Sequence, residues 1–147
     1  MSRLARGTTR VDQPVNIKIK LAGLWTAAMF LMIYVDYFGL FVPGVLENMI
    51  EGEVAHTGIK VSQLFLFGAM TLMMVAALMI VASLLLNARW NRTANVVVGS
   101  LEIVALITGA LGETWIYYLV ATAVEVGLIA LVVWLAWNWP ERETGTP

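Results

Sequence analysis

The chain has 147 residues, of which 60% are hydrophobic and only 13% are charged. Soluble domains carry about 25% charged residues, so this composition favours a membrane protein of one domain. A net charge of −1, with basic residues confined to segments beside the apolar stretches, argues against a nucleic-acid partner. The absence of cysteine excludes iron–sulfur clusters and cysteine zinc sites, and a single histidine excludes bis-histidine haem within one chain, so no cofactor is predicted.

Four apolar segments are long enough to cross a bilayer, whose core of about 30 Å takes roughly 20 residues of helix. The predicted spans are 21–42, 61–86, 93–111 and 114–139. Each ends at a helix breaker or a polar residue. The residues that end them are Pro43-Gly44, Asn87, Gly112-Glu113 and Pro140. The sequence therefore predicts an all-α, four-helix transmembrane bundle.

The basic residues predict the orientation of this bundle. Eight of the nine lie on one side of the four spans, and Lys60 alone falls on the other. By the positive-inside rule, both termini are predicted to be cytoplasmic. Residues 1–20 and 140–147 would be cytoplasmic tails on a single domain of residues 21–139. Most of the tryptophans lie near predicted span ends, where they would be interfacial anchors. The six tryptophans of the chain are Trp25, Trp90, Trp115, Trp134, Trp137 and Trp139.

The loops predict which helices are neighbours. The links 87–92 and 112–113 are so short that the second, third and fourth helices should pack as antiparallel neighbours. The longer external segment 43–60 is predicted to be a short amphipathic helix or an ordered loop. It carries His56 near two glutamates, a pattern more typical of plain surface than of a metal site, so no metal is predicted.

Three acidic residues lie inside the predicted spans: Asp36, Glu102 and Glu125. An acidic side chain at the centre of a membrane helix costs about 2.5–3.5 kcal/mol, so each requires an explanation. Glu102 and Glu125 lie at nearly equal offsets from the turn at Glu113. An antiparallel hairpin would therefore place both about 17 Å from that turn, near the bilayer middle.

Both glutamates lie on helix faces that carry polar or small residues. The third span has Asn95, Gly99, Glu102, Gly109 and Glu113 on one stripe with Leu106, and the fourth has Tyr118, Thr122 and Glu125. Such faces typically point into a helix bundle.

No basic residue shares the depth of the glutamates, so at least one carboxyl is expected to be protonated. Three roles remain open: a shared proton that only joins the helices, a proton relay, or a cation site. In the purely structural alternative, Tyr118, Thr122 or a backbone carbonyl bonds the carboxyl. Asp36 is either an entry group for an ion or ligand on the outer side, or a group that orients Tyr34 and Tyr37.

Several short motifs, spread from about residue 20 to 139, resemble those of one family of small bacterial integral-membrane proteins, a domain of unknown function. They are Leu24-Trp25, Tyr34-Val35-Asp36, Pro43-Gly44, Ser83, Arg92-Thr93-Ala94-Asn95 with Gly99, Tyr117-Tyr118 and Glu125. The resemblance implies four helices in a bacterial inner membrane and supplies no activity. It adds Arg92 and Asn95 as candidates where the third helix enters the membrane from the cytoplasm, with Arg92 beside a lipid phosphate or as an ordinary anchor.

The sequence leaves two functions open. One is a non-enzymatic accessory subunit that binds a lipid or a larger membrane protein through its polar stripe. The other is a proton- or cation-coupled transporter, which with four helices would need to be a homo-oligomer. A membrane enzyme is disfavoured, because no nucleophile or metal set accompanies the two glutamates.

Overall fold

A computed structural model describes residues 13–54 and 59–139. Its elements are α1 (Ile17–Gly39), α2 (Val45–Ile50), β1 (Glu53–Val54), β2 (Ile59–Lys60), α3 (Gln63–Leu85), α4 (Ala88–Gly109) and α5 (Ile116–Trp137). Four of these helices, α1, α3, α4 and α5, are long and apolar enough to cross a membrane. The prediction of a four-helix, all-α membrane fold is therefore confirmed, with helix bounds that differ from the predicted spans by one to five residues.

Polar side chains set where the helices begin. The Asn16 side chain accepts a hydrogen bond from the Lys18 amide, so α1 starts inside the predicted tail of residues 1–20. Asn87 likewise accepts from the Trp90 amide, which starts α4 five residues before the predicted position. An N-cap satisfies backbone N–H groups that the first helical turn leaves unpaired, and it therefore fixes where the helix begins. The rest of the predicted tails, residues 1–12 and 140–147, lies outside the described residues.

The four long helices form a ring of contacts in the order α1, α3, α4, α5. The contacts of α1 with α3 and α5, and of α4 with α5, are extensive, whereas α3 meets α4 over a smaller area. The core between them is built from Leu21, Trp25, Ala28, Met32, Ala76, Met79, Ile129, Val132 and Ala136. The prediction that Trp25 is an interfacial anchor is wrong, because its side chain is fully buried in this core.

The two ends of the bundle differ in chemistry. We call the end that carries Lys18, Lys20, Arg89 and Arg92 the basic end. The opposite end, which we call the hairpin end, carries α2 and the antiparallel pair β1–β2, in which Glu53 lies opposite Lys60. The external segment thus contains a six-residue helix and a small hairpin. Residues 55–58, including His56, lie outside the described residues.

Candidate functional site

A cavity of about 140 Å³ lies between the four long helices toward the hairpin end. Its polar lining consists of Asp36 from α1, Glu102 from α4, and Tyr118 and Glu125 from α5. The remaining lining is apolar or small, with Met32, Leu72 and Met73 among the side chains. All the acidic residues of the predicted spans therefore meet at one place, although they come from three helices.

Glu102 and Glu125 form the deep wall of this cavity. Each is only 2% exposed. At 1.5 Å per residue, Glu102 lies about 10 Å from the end of α4 at Gly109, and Glu125 lies about 14 Å from the start of α5 at Ile116. Their common cavity is consistent with the nearly equal offsets from the α4–α5 turn. Three carboxyl groups around one small space cannot all be charged cheaply, because like charges in a poorly solvated site repel strongly.

The Glu125 carboxyl is incompletely satisfied. Its Oε1 is a buried side-chain oxygen without a hydrogen-bond partner among the described residues. Tyr118 and Thr122 were the donors suggested by the sequence, and neither bonds this oxygen. Thr122 is buried but does not line the cavity, whereas Tyr118 does, with its hydroxyl 3.8 Å from where a Cβ on Gly109 would lie. A buried, unpaired carboxyl oxygen costs about 1–3 kcal/mol or more, so a donor or a cation beside it would be strongly favoured.

Asp36 lies nearer the hairpin end than the two glutamates. It is about 5 Å from the end of α1 at Gly39, is exposed, and lines the same cavity. Its neighbours Tyr34 and Tyr37 are exposed and contact the ring of Phe38 instead. Asp36 therefore lines the cavity, while the two tyrosine rings pack against Phe38.

The acidic residues are spread around the cavity rather than converging on a point. The described part of the chain contains no group of three His, Cys, Asp or Glu residues close enough to hold a metal ion. A hard cation such as Ca²⁺ takes six to eight oxygen ligands at about 2.3–2.6 Å. The spacing of the carboxyls around a cavity with room for several waters suits a proton, or a hydrated or organic cation, better than a directly coordinated metal.

A second polar cluster joins three helices on the basic side of the cavity. Asn95 Oδ1 accepts from Trp25 Nε1 at 2.8 Å and from Ser83 Oγ at 3.3 Å, and Asn95 Nδ2 donates to Asn91 Oδ1 at 2.7 Å. Asn91 Nδ2 in turn donates to the Ser83 carbonyl at 2.6 Å. Asn95 is thus fully buried between helices, because its amide bonds α1 and α3.

Asn91 is not among the candidate residues that the sequence identifies. It lies one helical turn before Asn95, on the stripe that continues to Gly99 and Glu102. This spacing indicates that Asn91 shares their helix face. Arg92, the other candidate from the resemblance, does lie at the basic end. Its guanidinium carbon is 5.8 Å from the centre of the Trp137 ring.

The comparisons with known proteins leave the site without an assigned chemistry. The searches of curated proteins and of solved structures found no match. A family model described as a family of unknown function, DUF6326, matches residues 12–146. This match covers all four long helices and every residue of the cavity and of the second polar cluster. The chain therefore belongs to the family of unknown function DUF6326.

Proposed function

We propose that this multi-pass membrane protein is a non-enzymatic protein that binds a proton or a small cation between Glu102 and Glu125. The observation that carries the proposal is the buried Oε1 of Glu125, which has no hydrogen-bond partner within residues 13–54 and 59–139. It belongs to a cavity lined by two further carboxyls and a tyrosine. Ionisable groups within membrane spans are costly, and they commonly mark proton or ion pathways. Asp36, at the mouth of the same cavity, would attract the cation from the hairpin side.

The proposal extends to coupled transport by a homo-oligomer. Transporters generally place their coupling site near the membrane midplane between repeated helical units, and four helices supply few such units in one chain. A second copy packed against the exposed helix faces would complete the pathway. Within one chain, the cavity would serve as the coupling site, with Glu125 as the group that exchanges its proton.

The proposed location is a bacterial inner membrane, with the basic end in the cytoplasm. Lys18, Lys20, Arg89 and Arg92 all lie at the basic end, whereas Lys60 lies at the hairpin end. This asymmetry supports the orientation through the positive-inside rule. Asp36 would then face the periplasmic side, from which a proton or cation enters along the membrane potential.

Labelling with dicyclohexylcarbodiimide tests the binding site directly. This apolar reagent modifies protonated carboxyls in apolar surroundings, and mass spectrometry locates the modified residue. We expect labelling at Glu125 or Glu102 of the full-length protein in mild detergent, and protection by sodium, potassium or tetramethylammonium if one of these cations occupies the site. Glu47, an exposed glutamate on α2, gives a matched control variant in Glu47→Gln.

A flux assay tests the transport role. Proteoliposomes that contain a pH-sensitive dye would report proton entry after a pH jump, for the wild type, Glu125→Gln, Glu102→Gln and Glu47→Gln. We expect the first two substitutions to abolish the protein-dependent flux and Glu47→Gln to preserve it. Absence of labelling at both cavity glutamates, together with flux unchanged in their variants, would show that the carboxyls only join helices.

An accessory role is the second candidate, and the exposure of α3 favours it. Only 11% of the apolar window of α3 is buried, compared with 33% for α1. Its outward face includes Leu64, Phe67 and Leu78, which lipid or a larger membrane protein would cover. Native mass spectrometry of the mildly extracted protein should then show a stoichiometric partner that is lost on Phe67→Ala, whereas Phe30→Ala on α1 retains it. A protein recovered only with copies of itself would reject this role.

A further inference from the structure

The cavity between the four long helices has walls of two kinds. Among the described residues, α1, α4 and α5 supply all of its polar side chains, whereas α3 contributes only Leu72 and Met73. Met32 of α1 and Leu106 of α4 add further apolar lining. The charged side chains in the described lining are all acidic. An occupant of this space therefore meets carboxyl groups from three helices and a hydrocarbon wall from the fourth.

One carboxyl oxygen of this lining calls for a hydrogen-bond donor. Glu125 is 2% exposed, and its Oε1 has no hydrogen-bond partner within residues 13–54 and 59–139. A buried carboxylate oxygen is best satisfied by a charged N–H donor, because such a bond is about twice as strong as one between neutral groups. Metal ions and quaternary ammonium ions are cations without N–H groups. The occupant that matches this oxygen is therefore a cation that carries N–H groups.

The volume of the cavity limits the size of this cation. It is about 140 Å³. An engineered protein cavity of about 150 Å³ binds benzene, so the space suits a molecule of about six non-hydrogen atoms. A water molecule in a buried site needs roughly two to four polar partners, which the wall formed by Leu72 and Met73 does not supply. A short hydrocarbon chain fits that wall better than the water shell of a metal ion does.

We propose that the cavity binds a protonated primary alkylamine of about five or six non-hydrogen atoms. Its ammonium group donates a hydrogen bond to Glu125 Oε1 and is attracted by the carboxyl groups of Glu102 and Asp36. Its alkyl chain lies against Leu72 and Met73. This inference rests on the cation site proposed above, and it names the chemical class of the cation.

Isothermal titration calorimetry of the full-length protein in mild detergent, with empty micelles as the blank, tests the proposal. The probes are n-butylammonium, tetramethylammonium and n-butanol, which match in size, together with methylammonium and sodium. We expect n-butylammonium to bind about tenfold or more tightly than tetramethylammonium or n-butanol, because it alone combines N–H groups with a positive charge. Methylammonium should also bind about tenfold or more weakly, since each buried methylene contributes a factor of about four. Sodium should bind more weakly than n-butylammonium.

Two substitutions test the acidic group and the space separately. Glu125→Gln removes the anionic acceptor and should weaken the binding of n-butylammonium about tenfold or more. Ala105→Leu keeps the carboxyls but fills the cavity, and it should weaken binding as well. Ala77→Leu, at an exposed position of α3 outside the cavity lining, is the matched control and should leave binding unchanged. If Ala105→Leu does not fold, the comparison of probes on the wild type still tests the proposal.

The outcomes distinguish this inference from the cation site on which it rests. Equal affinities for n-butylammonium and tetramethylammonium or n-butanol, tighter binding of sodium, or unchanged binding in Glu125→Gln would each overturn the alkylamine. If the amine does not bind while carbodiimide labelling and flux still require Glu125, the cation site stands and this inference alone fails. If labelling at both cavity glutamates is absent and flux is unchanged in their variants as well, both fail.

Discussion

Trp25 on α1 and Asn95 on α4 are joined by a hydrogen bond of 2.8 Å between the indole Nε1 and the amide Oδ1, and both side chains are fully buried. Ser83 on α3 donates to the same oxygen. One amide therefore fixes the mutual positions of three helices. This matters in lipid, where apolar packing alone distinguishes poorly between helix faces.

Replacement of Asn95 should destabilise the bundle more than replacement of Trp25. Asn95→Leu removes the acceptor of the Trp25 indole N–H and the donor to Asn91 Oδ1, and we expect a loss of about 1–3 kcal/mol. Trp25→Phe removes one donor, and a single interhelical hydrogen bond in a membrane contributes about 0.6–1.7 kcal/mol. Titration with sodium dodecyl sulfate, followed by circular dichroism, measures both, with the exposed Trp134→Phe as control. Strict additivity in the double variant would contradict direct coupling.

Gly99 permits the close approach of α4 and α5. A Cβ there would lie 2.7 Å from Val133 Cγ2 and 3.4 Å from Ile129 Cγ2. Gly99→Ala should therefore force the helices apart and cost about 1–3 kcal/mol, although alanine is the better helix former. Gly127→Ala, at a glycine of α5 with nothing within 4 Å, should be neutral or stabilising in the same unfolding assay. Adding Val133→Ala to Gly99→Ala should restore stability. If stability is not restored, the destabilisation does not come from the contact between the new Cβ and Val133.

The Lys18 side chain, at the start of α1, forms hydrogen bonds with the end of α3. Its Nζ donates to the carbonyls of Leu86 at 2.5 Å and Leu84 at 3.4 Å. A cation at a helix C-terminus contributes about 0.3–2 kcal/mol, so Lys18→Met should lower stability within that range. Lys20→Met removes the same charge from the same helix end and should have a smaller effect on unfolding. Equal effects of the two variants would mean that net charge, rather than this cap, sets stability.

Glu125→Gln should separate binding from folding. The amide has nearly the shape of the carboxyl, is uncharged and cannot exchange a proton. We therefore expect the free energy of unfolding of the variant to equal that of the wild type within about 1 kcal/mol, or to exceed it. Carbodiimide labelling at this position should be lost in the same protein. If the variant is instead destabilised by several kcal/mol, the Glu125 carboxyl stabilises the helix packing. This result would contradict the proposal that the cavity is a binding site.

The sequence predicted the helices well because their signals are local. Hydropathy over about 20 residues marks a span, and the caps Asn16, Ser62 and Asn87 act within three residues of their own positions. The sequence also predicted that Glu102 and Glu125 lie close together. Because the α4–α5 link is short and the rise per residue of a helix is constant, the number of residues between each glutamate and the turn gives its depth. The function of these residues stays a prediction, and Trp25 was misplaced because a local rule about tryptophan ignores a partner seventy residues away.

What the sequence determined by itself is the number of spans, the polar stripes on α4 and α5, and the separation of charge between the two ends. What only the tertiary structure decided is which faces meet: Asp36 with the cavity of Glu125, and Trp25 with Asn95. The physical reason is that, outside the polar stripes, lipid-facing and helix-facing side chains are equally apolar. Hydropathy therefore fixes how deep a residue lies but not the rotation of its helix, which depends on side-chain packing and on hydrogen bonds between residues far apart in sequence.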